Sequence, residues 1–154
     1  MPAKFMKILA PTDFSEPSAL ALETALEVAA PGASILLCHV VDDLPLTYGY
    51  VGIATPTPEL RSRMTREAEK ELEGFGPKDV RADVTVVRRV IHGTPFLEIV
   101  RLAREEEIDL IVMGTHGRTG LQQILIGSVA EKVVRKAPCP VLVVRAKGTQ
   151  FQHP

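Results

Sequence analysis

The chain has 154 residues, with 18 Lys and Arg against 19 Asp and Glu and a formal net charge of −1. That balance lacks the basic footprint of a general nucleic-acid binder, and no apolar run reaches the roughly 18 residues that a membrane span requires. With 45 % hydrophobic and 24 % charged residues, the composition is that of an ordinary globular protein of one domain, predicted over 1–146, with a short tail at 147–154. The start, MPAKFMKILAPTD, is too short in its apolar part for a signal peptide, so the expected location is cytoplasmic. Cys38 and Cys139 form no C-x-x-C pair and have no metal-ligand spacing, which points to free thiols.

Phe5 to Ala10 reads as a first strand. A helix follows Ser15, with Pro17 in its first turn and Leu22, Ala25, Leu26 and Ala29 at the spacing of one apolar face. Pro31-Gly32 is predicted to end it. Ser34 to Val41 is a second strand, apolar enough for burial on both faces. The stretch 42–57 is irregular, rich in Pro, Gly and Tyr, and long for a connection in a compact domain. Thr57-Pro58-Glu59 opens a second helix with a cap, a proline and an acid; its stripe is Leu60, Met64, Ala68 and Leu72, and Gly74, Gly76 and Pro77 close it.

A third strand spans Val84 to Val90, with Arg88 and Arg89 marking a sheet edge. Gly93-Thr94-Pro95 starts a third helix with Phe96, Ile99, Val100 and Ala103 inward. Leu110 to Met113 is a fourth strand. Ser128 to Ala137 is a fourth helix with Val129, Val133, Val134 and Ala137 inward, and Pro140 to Val144 is a last strand. Strands alternating with helices predict an α/β fold: an open, doubly wound, five-stranded parallel sheet of order 3-2-1-4-5 with helices on both faces. Such sheets take ligands beyond the strand C-termini, where the order reverses. Two segments emerge there, Pro11-Thr12-Asp13 and the stretch Gly114 to Ser128, GTHGRTGLQQILIGS.

Glycines at 114, 117, 120 and 127 are read as allowing positive φ and close approach to a ligand. A helix start at Ser128 offers free N–H groups to an anion. The spacing is neither a Walker A loop nor a dinucleotide fingerprint. Ser128-Val-Ala-Glu131 also reads as a capping box, so helix capping and phosphate binding stand side by side as roles for it.

The chain resembles the universal stress proteins. Their ATP-binding branch carries G-x2-G-x9-G-[ST] after the fourth strand, met here by Gly114, Gly117, Gly127 and Ser128. The likeness runs nearly end to end, through KILAPTDFS, HVVD, IHGTP, DLIVMGTHGRTG and GSVAEKVVRKAPCPVLVV. It implies an adenine nucleotide alpha hydrolase-like domain that binds ATP, with or without Mg²⁺. It further implies that Asp13, beside Pro11 and Thr12, holds the ribose or adenine side and that backbone near Val41 meets adenine. Gly114, Gly117, Gly127 and Ser128 then hold phosphates, with Met113, Thr115, Arg118 and Val129 beside them. Phe14 departs from the glycine that many members carry and is expected to narrow the site. The resemblance also implies a homodimer through Val141 to Val144, a short apolar edge.

Catalysis requires a positioned base and usually metal ligands. His116 is the one histidine placed in the glycine stretch, and its plainer role is that of a polar loop residue. The resulting expectation is a nucleotide-dependent regulatory module in stress response, with a protein partner that the sequence does not name. In it, ATP would order 42–57 and 115–127. The alternative is a hydrolase or transferase using the same pocket; a third reading is a loop that serves structure or another anion.

Overall fold

The structure is a computed structural model and describes residues 5–42, 56–115 and 126–146. Its elements are β1 (Phe5–Pro11), α1 (Glu16–Val28), β2 (Ala29–Asp42), α2 (Pro58–Glu73), β3 (Thr85–Gly93), α3 (Pro95–Glu105), β4 (Leu110–Gly114), α4 (Ser128–Lys136) and β5 (Val141–Val144). The five strands are parallel and ordered β3-β2-β1-β4-β5, as the sequence predicts.

Side chains alternate across each strand, so one sheet supports two cores. Ile8, Ala10, Ile35, Leu37 and Val112 face α1 and the Leu72 end of α2. Leu9, Leu36, Cys38, Ile111 and Met113 face α3 and α4 through Ile99, Leu102, Ala130 and Val133. Each fully buried aliphatic side chain contributes about 1.5–3 kcal/mol of transfer free energy. β1 lies central between these layers, and its C-terminus opens into the crevice between the two helix pairs.

Three local expectations are corrected. Pro31-Gly32 does not end α1. The helix stops at Val28, and the Pro-Gly pair forms an irregularity inside β2, where Phe5 pairs with Ala29 but Lys7 pairs with Ser34. Proline has no N–H for the ladder, and Gly32 (φ 81) turns the chain while donating to the Asp83 carbonyl at 2.8 Å. In α2, Leu60 is exposed and Met64 half-buried, while Ala68 and Leu72 are buried. This helix flanks the edge strand: Thr65 Oγ1 and His92 Nε2 of β3 share a 2.7 Å hydrogen bond, and full burial is reached only in its C-terminal half. In α4, Val134 is 47 % exposed, because a helix of nine residues turns Ala130 and Val133 to the core and Val134 away from it.

The arginine pair does mark an edge. Arg88 donates through Nε to the Leu72 carbonyl (3.0 Å) and through Nη2 to that of Phe75 (3.4 Å), tying β3 to the C-terminal end of α2 and the turn after it. Arg89 pairs with Glu106 at 2.8 Å. Both cysteines are free.

Candidate functional site

A cavity of about 310 Å³ opens at the C-terminal ends of β1, β2 and β4, between the N-termini of α1, α3 and α4. Its size falls in the range of small-molecule sites. Pro11, Thr12 and Asp13 form one wall; Met113, Gly114 and Thr115 form another. Gly127, Ser128, Val129 and Ala130 close a third side.

The first wall is held by backbone bonds that follow from β1 ending early. The Thr12 N–H donates to the Cys38 carbonyl at 2.8 Å, and the Thr12 carbonyl accepts from His39 Nδ1 at 2.8 Å. A carbonyl only accepts, so Nδ1 carries the proton. Thr12 Oγ1 takes the Phe14 N–H at 2.9 Å and shares a 2.8 Å hydrogen bond with Ser18 Oγ. Ser15 caps α1 and donates both its N–H (3.1 Å) and its hydroxyl to Asp13 Oδ1. These bonds orient the only carboxylate among the described residues that line the cavity.

Phe14 joins this turn at φ 66, a left-handed conformation that bulky side chains rarely adopt. Its ring lies 4.4 Å from the His39 ring and meets Phe75 edge-on at 5.6 Å. At that φ a side chain is strained where glycine is not. The ring packs with His39 and Phe75 and is not itself part of the cavity wall.

The opposite wall centres on α4. Its N-cap is Gly127 (φ −69, ψ 158), which has no side chain to cap with, so the capping box expected at Ser128 is not formed. Ser128 is instead the first helical residue, and the N–H of Glu131 donates to the Gly127 carbonyl. Among the described residues, the N–H groups of Ser128, Val129 and Ala130 therefore have neither an intrahelical partner nor a side-chain cap, and they stand at the positive end of the helix dipole. Below them, Thr115 is tied by its N–H to the Val144 carbonyl (2.9 Å) and by its own carbonyl to the Gly127 N–H.

Of the residues singled out in the sequence, Pro11, Thr12, Asp13, Met113, Gly114, Thr115, Gly127, Ser128 and Val129 come together on this cavity. Val41 does not line it, whereas His39 and Val40, the two residues before it on β2, do. Gly117, Arg118, His116 and Gly120 lie outside the described residues, as do most of 42–57 and of 115–127. Positive φ is not the reason for Gly127, nor for Gly114: among the described residues the glycines in that region are Gly32, Gly76 and Gly93. Ser18, His39, Pro95, Ile99 and Ala130 line the cavity without having been anticipated. Pro95 was legible, because every strand-to-helix junction of a parallel sheet opens on the same edge; His39 and Ile99 depend on packing.

An open, doubly wound α/β protein with a ligand crevice at its switch point is the class that this geometry defines. The universal stress protein family pattern matches residues 4–145, and the chain belongs to that family. It is similar to the universal stress protein MJ0577 of Methanocaldococcus jannaschii, with 35 % identity over 97 % of this chain and the whole of that protein. It is also similar to MJ0531 of the same organism, with 40 % identity over 92 % of this chain and 82 % of the relative. The solved structure of MJ0577 superposes with a TM-score of 0.76 at 34 % identity, covering 93 % of this chain and 97 % of that one. A universal stress protein solved in complex with cAMP shares the fold, with a TM-score of 0.55 at 24 % identity, covering 91 % of this chain and 97 % of that one.

Proposed function

We propose that this universal stress protein binds ATP in the β1/β4 crevice and acts as a nucleotide-dependent regulatory module. The observation that carries the reading is the convergence of the Asp13 turn with the uncapped N-terminus of α4 on one cavity. A hydroxyl-bearing ribose suits the first, and phosphate oxygens suit the second. Val40, Ile99, Met113 and Val129 supply apolar surface for a flat base. Gly117 and Arg118 belong to the same reading through the family motif, with Arg118 offsetting phosphate charge. Backbone near Val41 is kept as an adenine contact only at the rim.

Mg²⁺ is compatible as a companion of the triphosphate. Asp13 is the only carboxylate among the described lining residues, and its Oδ1 is already engaged by Ser15. The ligand's own phosphates would supply most of the oxygen donors, the usual arrangement for this hard cation.

The working unit in this reading is a homodimer joined through β5. That strand is an edge of the sheet, with Leu142 38 % exposed, and it offers backbone groups to a second copy. Denaturing the purified protein and analysing the released small molecules by chromatography and mass spectrometry tests the ligand. An adenine nucleotide in near-stoichiometric amount is the expected result; no nucleotide, together with no ATP binding on titration, would remove the proposal.

A further inference from the structure

Gly114 ends β4 and lines the cavity, while Pro17 sits in the first turn of α1, one residue before the cavity-lining Ser18. The two segments touch with no space to spare. A Cβ placed on Gly114 would stand 2.8 Å from the Pro17 Cβ, 2.9 Å from its carbonyl carbon and 3.1 Å from its carbonyl oxygen. Unstrained contacts of carbon atoms lie at about 3.5–4.0 Å. Two of these three neighbours are backbone atoms, which cannot rotate aside. Gly114 is thus required for the approach of α1.

Both partners in this contact are tied to the walls of the cleft. On one side, Ser18 Oγ bonds to Thr12 Oγ1 and to the Ser15 carbonyl, each at 2.8 Å, and Ser15 in turn holds Asp13. On the other, Gly114 runs into Thr115, whose carbonyl holds the Gly127 N–H at the head of α4. The contact therefore joins the segment that holds Asp13 to the segment that holds the head of α4. Proline restricts its own φ, which stiffens the α1 side of the contact.

We infer that the Pro17–Gly114 contact is the spacer that fixes the width of this cleft, with Pro17 as a positioning residue, and that the spacing selects nucleoside triphosphates over monophosphates. The inference rests on the ATP reading above. Only a ligand that engages both walls is sensitive to their separation; a monophosphate held at the Asp13 wall is not.

The test compares ATP and AMP affinities of the full chain after removal of bound nucleotide, by calorimetry with AMP measured by displacement. Gly114→Ala must push α1 and β4 apart by a few tenths of an ångström or more. ATP affinity is expected to fall about tenfold or more, a loss in keeping with the cost of misplacing binding groups, while AMP affinity changes less than about threefold. Pro17→Gly removes the ring without adding volume and moves the ATP-to-AMP ratio the same way; it decides alone if Gly114→Ala fails to fold. Gly32→Ala is strained at φ 81 with open space around it, at the far end of the sheet. It controls for lost stability and leaves the ratio unchanged. Equal losses for ATP and AMP in both variants, or unchanged ATP affinity, overturn the spacer while leaving the ATP reading intact. A wild-type chain that binds neither nucleotide overturns both.

Discussion

At residue scale, the site depends on a side chain held where its backbone resists it. Phe14 occupies the left-handed region at φ 66 while its ring packs on His39 and Phe75. Aromatic contacts of this kind contribute about 0.5–1.5 kcal/mol beyond their buried area, which offsets a backbone cost of about 1–2 kcal/mol. Truncation should separate these effects. Both Phe14→Ala and Phe14→Gly lose the ring, but only alanine keeps the strain. Phe14→Gly is therefore expected to be the more stable by about 1 kcal/mol in denaturant unfolding, the reverse of the order inside a helix. Alanine equal to or more stable than glycine would contradict the assigned conformation. Gly127 is the second informative position, because an uncapped helix start trades stability for binding. Gly127→Asp supplies a cap and a favourable charge to α4, with a gain of a few tenths to about 1 kcal/mol. The same carboxylate occupies the N–H groups and repels phosphate. A higher unfolding midpoint with ATP affinity lowered by an order of magnitude or more is expected; unchanged affinity would place the phosphates elsewhere.

At the scale of elements, what was legible in the sequence follows from what each signal measures. Period and caps report on one element at a time, so the strand and helix order was readable, and Thr57 does cap α2 by accepting the Leu60 N–H at 3.2 Å. The sheet order followed from the alternation of strands and helices, since parallel crossovers leave few topologies. Failures occurred where a residue's role belongs to a neighbouring element. Pro31-Gly32 resembles a helix stop, but its partner is Asp83, across the sheet edge. Ser128 has the letters of a capping box, yet the chain enters α4 one residue earlier, at Gly127. Nothing in the segment of Gly114 reveals its contact with Pro17, which is close only after folding. The site was half visible for the same reason: Asp13 and the glycine stretch advertise themselves, whereas Ser18, His39 and Val40 join them only through packing. Edge strands lead to an element-scale prediction. In the proposed dimer, Leu142→Glu places like charges near one another across the β5 pair, an unfavourable arrangement in antiparallel sheets. Sedimentation is expected to report a dimer for the wild-type chain and a monomer for the variant; a variant that remains dimeric would move the interface off β5.

At the scale of the whole molecule, the buried thiol and two surface ion pairs contribute to the pH dependence of stability. Burial pushes the Cys38 thiol from its ordinary value of 9.0 up to about 12, with Arg89 opposing weakly. Its folded value is raised, so its contribution is fully present below pH 9 and is lost as pH rises towards 12, amounting to the order of 4 kcal/mol at the upper end. Stability measured by denaturant from pH 8 to 11 should fall more steeply for the wild type than for Cys38→Ala; identical slopes would contradict this cause. On the acid side the sign reverses. Hydrogen bonding to Arg89 lowers Glu106, and hydrogen bonding to Arg81 lowers Asp83. Both stabilise above the unfolded carboxylate range and cease to do so as pH falls through it, weakly and less so at high salt, because both groups are exposed. The sheet holds the Asp13 turn and the head of α4 on one cavity, the place proposed here for nucleotide. Calorimetric titration of nucleotide-stripped protein with ATP tests that proposal. The expected result is one ATP per chain with a dissociation constant in the micromolar range, about −8 kcal/mol, weakened by Asp13→Ala and by Gly127→Asp. No saturable binding, or binding that both variants leave untouched, would contradict it.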